Sequence, residues 1–238
     1  MFNTASISCA TAFRSRRIRM NMRNSTSSKR KSELAALVAA IAVCASLPAA
    51  ADEAVPAAPA PDSAKQLIEK TVVQVLAVLR DTSRTTGQRR LALEKIAHAR
   101  FDFRTMARLV LARDWKRLDA AKRDEFVDQF TTYLANDYGS RIDRYQQQDV
   151  KVMDEQPKPH GDSEVRTKIV GGESDGAIVA YRMRKGKDGN WQIIDVVIEG
   201  ISLVANFRDQ FREVIARGGP EALLQKLKEK NAAAAAEA

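Results

Sequence analysis

A chain of 238 residues with 45% apolar side chains is long enough for one sizeable core. Of its 39 basic and 30 acidic residues, eight bases and one acid fall within residues 1–51, so the rest holds 31 bases against 29 acids. The overall charge of +9 is therefore no nucleic-acid footprint on the folded part. Cys9 and Cys44 lie in the same N-terminal stretch, which excludes disulfide and thiolate chemistry from residue 52 onward.

In chain order, Arg14 to Lys31 is a basic segment, Leu34 to Leu47 an apolar run, and Ala49-Ala50-Ala51 a small-residue site. This is the order of a secretory signal, and an apolar run of about 14 residues is short for a membrane span. Cleavage is expected after Ala51, giving an exported protein; a retained anchor is the alternative. Residues 52–61 are rich in Ala and Pro and read as a disordered spacer. The folded domain is expected over 62–230, and the Ala-rich residues 231–238 read as a disordered tail.

The domain begins helical. Asp62 can cap a helix whose apolar face is Ile68, Val72, Val75, Leu76 and Leu79. A second helix is expected over Gln88 to Ala97 and a third near Phe101 to Ala112. A fourth follows Asp119 as N-cap, with Phe126, Phe130, Leu134 and Tyr138 at i+4 spacing. The period then changes to two. Asp149–Asp154, Glu164–Val170, Ala177–Arg184 and Asn190–Ile198 read as strands, the last two forming a hairpin. One sheet face carries Val150, Val152, Val165, Ile169, Val179, Tyr181, Met183, Ile194, Val196 and Ile198. The other carries Lys151, Arg166, Lys168, Arg182, Arg184 and Asp195. Two helices close the chain, divided at Gly218-Gly219-Pro220. The predicted class is α+β: an antiparallel four-stranded sheet with one face covered by about six helices, enclosing an apolar pocket.

Catalytic signatures are missing. The sequence has no Gly-x-Ser-x-Gly elbow, phosphate loop or dinucleotide glycine pattern. With only His98 and His160 and no cysteine beyond residue 44, neither a metal site nor a cofactor is expected. Asp195, between Ile194 and Val196, could serve as a base in a cone-shaped α+β isomerase or dehydratase. The competing reading places it on the polar face beside Arg182 or Arg184. Arg100, Arg104 and Arg108 follow i+4 spacing and could form a docking stripe, or simply a solvated helix face.

Several segments match a known family. They are Phe101-Asp102-Phe103-Arg104-Thr105-Met106-Ala107-Arg108-Leu109, Val165 to Val170, Tyr181-Arg182-Met183-Arg184, and above all Asp195-Val196-Val197-Ile198-Glu199-Gly200-Ile201-Ser202-Leu203-Val204. Over about residues 62 to 230 the chain resembles the MlaC (toluene-tolerance) family of periplasmic phospholipid-binding proteins. The resemblance implies a non-enzymatic carrier in the periplasm, with phospholipid as cargo. It also implies an inner-membrane ABC transporter bearing MCE domains and an outer-membrane lipoprotein complex as partners, in maintenance of outer-membrane lipid asymmetry. A periplasmic chaperone for apolar peptides is a further alternative.

A lipid carrier needs apolar cover. Two acyl chains with on the order of 30 methylenes, at about 0.8 kcal/mol each, require ~20 kcal/mol of burial. Candidate walls from the sheet are Val152, Val165, Val179, Tyr181, Val196 and Ile198. Candidates from helices are Phe103, Met106 and Val110, then Phe130, then Phe207, Phe211 and Val214. Each is equally suited to ordinary core.

Overall fold

The computed structural model describes residues 63–139 and 147–236. The signal predicted over 1–51, the spacer over 52–61 and the Asp62 cap lie outside the described residues. Ser63 caps the first helix instead, its hydroxyl accepting the Gln66 N–H at 3.2 Å. Helix α1, Ala64–Arg80, buries Leu67, Ile68, Val72, Val75, Leu76 and Leu79 along one stripe, as the spacing predicts. Helix α2, Thr86–Arg100, opens with a reciprocal capping box between Thr85 and Gln88. Asp102 caps α3, Phe103–Leu111, and a 3-10 turn over Ala112–Arg117 follows. Helix α4, Ala120–Gly139, starts at the expected Asp119, whose carboxylate accepts the Lys122 N–H at 2.8 Å. Helix α5, Leu203–Ala236, is broken at Gly219 just before Pro220, so the two predicted closing helices are two segments of one run.

The sheet has five antiparallel strands rather than four, in the order β1-β2-β3-β4-β5. They are β1 Asp149–Pro157, β2 Ser163–Val170, β3 Ile178–Lys185, β4 Trp191–Ile198 and β5 Ile201–Ser202. The added strand follows a two-residue turn with φ of 49° at Glu199 and 81° at Gly200, which folds Ile201 back on Ile198. A two-residue strand has too few positions to show a period, which is why patterning misses it.

The expected sidedness holds along β2 and β3: Val165, Ile169, Val179, Tyr181 and Met183 turn toward the helices. The other face carries charge pairs, Arg166 with Asp154 at 2.8 Å and Arg184 with Asp162 at 2.6 Å. Two bulges correct the simple alternation. In β1 the register slips between Val152 and Glu155. In β4 Ile194 is the extra residue, since Arg182 pairs with Asp195 and Met183 with Ile193. A bulge shifts the phase of all that follows. Ile193, not Ile194, therefore joins the core cluster.

The core continues between α4 and α5. Phe130 meets Phe207 at 5.6 Å and Phe211 at 6.3 Å edge-on, and stacks on Phe126 at 5.9 Å. The predicted tail at 231–238 is corrected as far as Ala236, where α5 ends. Asn231 is buried and donates to the Gln129 backbone carbonyl and side-chain oxygen, both at 2.9 Å, while accepting from Asn136 at 3.3 Å. That anchor, with the helix propensity of alanine, extends a segment that has no apolar stripe of its own.

Candidate functional site

An apolar seam runs between α1 and the sheet. Ile68, Val72, Val75 and Leu76 face it from α1, and Val150, Tyr181 and Ile193 from the sheet. Phe101 lines it as well. It is held there because the chain is extended between α2 and α3: Phe101 bridges to Ile193, and the Asp102 N–H donates to the Ile193 carbonyl at 2.9 Å. Thr71 adds a polar group, but its hydroxyl is spent on the Leu67 carbonyl at 2.7 Å. Burial pushes the Tyr181 phenol well above its ordinary range, against a smaller opposing effect of its hydrogen bond with Thr167. The ring is thus a neutral wall at physiological pH.

The seam is almost closed. Its cavity volume is about 20 Å³, enough for about one water. Pockets that hold whole organic ligands run to about 300–1,000 Å³. What lies over the seam is a helix fastened at both ends to one strand. The Lys65 N–H donates to the Glu155 carboxylate at 2.9 Å, and the Lys65 ammonium donates to the Met153 carbonyl at 3.2 Å. At the other end Arg80 pairs with Asp149 at 3.6 Å. Between these ends Ile68, Val72, Val75 and Leu76 face the sheet through apolar side chains.

Of the thirteen wall candidates, Tyr181 alone is at the seam. Phe103 stacks on Phe101 at 5.5 Å, one ring away. Val165, Val179, Val196 and Ile198 share the core cluster with it, and Val152 is half-buried against that cluster. Met106 and Val110 are core positions of α3, and Val214 is half-buried on α5. Phe130, Phe207 and Phe211 belong to the aromatic packing of α4 on α5. The wall residues that sequence reasoning passed over are those of α1, with Phe101, Val150 and Ile193. The stripe of α1 was visible as a helical face, but spacing does not distinguish a wall from a core.

The arginine stripe is divided. Arg100 ends α2, is half-buried and donates to Gln74 at 3.3 Å, and burial lowers its pKa from the ordinary value. Arg104 and Arg108 stand exposed on α3, Arg104 paired with Asp124 and lying 5.8 Å over the Trp115 ring.

Asp195 lies next to Arg182 as the second reading expects, at 3.2 Å, yet it is only 4% exposed. Its carboxylate also accepts the Ser202 hydroxyl at 2.6 Å and the Val204 N–H at 3.1 Å. It thereby fastens β4 to the first turn of α5. Three donors engage this carboxylate, and it lines neither the seam nor the groove beside α5, so its contacts are those of a structural tie. Among the described residues no group of three His, Cys, Asp or Glu is placed to hold a metal ion, and no helix is long and apolar enough to cross a membrane.

Comparison with known proteins follows the fold. The chain is 25% identical over 125 residues to the intermembrane phospholipid transport system binding protein MlaC of Haemophilus influenzae, a match spanning 50% of this chain and 58% of that protein. The solved structure of the phospholipid-binding protein from Ralstonia solanacearum, in complex with a phospholipid, superposes with a TM-score of 0.64 at 24% identity, covering 72% of this chain and 98% of that one. The family model described as MlaC protein matches residues 69–229, which takes in the whole sheet and every seam residue except Ile68. The chain belongs to the MlaC family.

Proposed function

We propose that this protein binds a phospholipid with its acyl chains in the seam between α1 and the sheet, and carries it through the periplasm between inner and outer membranes without chemical conversion. The observation that supports this is a helix whose Ile68, Val72, Val75 and Leu76 share an apolar seam with Val150, Tyr181 and Ile193 of the sheet, while Lys65 and Arg80 near its two ends link it to β1. Separating helix and sheet in water would expose Ile68, Val72, Val75 and Leu76, at roughly 1.5–3 kcal/mol each. Acyl chains sliding between them replace one apolar neighbour with another, so most of that cost disappears. Cargo and open seam therefore stabilise each other, and the relatives' names fit such a cargo.

Val72→Glu tests this. A carboxylate in the seam penalises acyl chains by desolvation. Lipid extracted per folded molecule should fall about tenfold relative to the parent, equivalent to ~1.4 kcal/mol. Native mass spectrometry reads it directly. An unaltered lipid content, with circular dichroism showing a folded protein, would rule the seam out.

The partners implied by the family, an MCE-bearing ABC transporter and an outer-membrane lipoprotein complex, would meet Arg104 and Arg108 on α3. These exposed cations suit an acidic surface and speed encounter in a salt-dependent way. Charge reversal at both should slow association with the transporter about tenfold at low salt, measured by surface plasmon resonance, and abolish most of its salt dependence. Unchanged rates at all ionic strengths would place docking elsewhere.

A further inference from the structure

A second concavity shares no residue with the seam. It is a groove of about 660 Å³ between the end of α3, the 3-10 turn and the part of α5 that leads up to its break at Gly219. Its walls are cationic: Arg113 and Arg117 come from the turn, and Arg208, Arg212 and Arg217 from α5. Its floor includes Val110, Leu111 and Ile215.

The charges do not cancel. Arg117 pairs with Asp114 at 2.9 Å, Arg212 with Asp209, and Arg217 with Glu213. Arg208 is held by the Leu109 carbonyl through two N–H donors, at 3.1 and 2.6 Å, which fixes its guanidinium without neutralising it. Arg113 has no acidic partner among the described residues. Two guanidinium charges are thus uncompensated in a concave site. Gly219, with φ of 77°, turns the backbone at the rim, and a Cβ there would stand 3.1 Å from the Arg117 guanidinium. Glycine therefore serves both the left-handed turn and the close approach of Arg117.

We propose that this groove binds a phosphate-bearing anion, either an organic phosphodiester or free phosphate. Planar guanidinium groups match phosphate oxygens two at a time, and a concave wall concentrates their field. The apolar floor favours a phosphodiester carrying a carbon skeleton over bare phosphate.

Calorimetric titration of the full chain at low salt, with glycerophosphoglycerol and separately with inorganic phosphate, tests it. The phosphodiester is expected to bind more tightly, and binding should weaken about tenfold in Arg113→Ala, less in Arg212→Ala, and progressively with added salt. Tighter binding of inorganic phosphate, with the same dependence on Arg113, would also support the site and identify free phosphate as its ligand. No heat with either probe, or heat unchanged in both variants, overturns the proposal. Neither probe has an acyl chain, so this outcome is independent of whether lipid occupies the seam.

Discussion

Asp195→Ala should lower the free energy of unfolding by about 2–5 kcal/mol, with a visible drop in the urea midpoint. The Ser202 hydroxyl and the Val204 N–H each lose a buried acceptor, at about 1–3 kcal/mol apiece. Arg182 loses a partner too, but its side chain is 48% exposed, so water compensates most of that loss. Asp195→Asn keeps an oxygen for the Val204 N–H and should cost less than Asp195→Ala. For a domain of this size the alanine variant should melt roughly 5–15 °C lower. Lipid per folded molecule should stay at the parental level, because Asp195 is not a seam residue. An unfolding midpoint equal to that of the parent would show that β4 and α5 are not joined through this carboxylate.

Phe130→Ala should cost about 3–5 kcal/mol, as expected for removing a fully buried ring from a packed interior. Phe126, Phe207 and Phe211 surround it and cannot all relax inward. Phe130→Leu, which fills more of the space, should cost less than half as much. Urea unfolding measures both, and lipid extraction from the folded fraction separates two roles for the ring. Lost lipid at an unchanged midpoint would make the aromatic layer a cargo wall. A lowered midpoint with lipid retained makes it core.

Much of the fold was legible because its elements are long and periodic. The stripe of α1, the Asp119 cap and the alternation of β2 and β3 each occupy enough positions for a period to show. Short or irregular features were not legible. The bulge at Ile194 exchanges which of two adjacent isoleucines faces inward, and two neighbouring apolar residues give patterning no basis for choosing. Asn231 reads as polar tail until its partners Gln129 and Asn136, about a hundred residues earlier, are seen beside it. The seam was the least legible feature. Val72 in the slot and Phe130 in the core have the same chemistry and the same helical spacing. Only the pairing of elements in space tells them apart. The arginine stripe failed for a related reason: i+4 spacing is a face only within one helix, and the extended Phe101 separates Arg100 from Arg104.

Lys65 and Arg80, near the two ends of α1, reach the same outermost ribbon, at Glu155, Met153 and Asp149. That ribbon is itself zipped to its neighbour from Asp149–Val170 to Pro157–Ser163. One long margin of the slot is thus stitched shut, like the spine of a book. Widening that keeps the stitching must occur along the opposite margin, where Phe101 and Ile193 line the slot and one hydrogen bond, from Arg100 to Gln74, ties α2 to the helix. Fatty tails would slip in from that fore-edge, and the bound spine would guide the cover back to register once they leave.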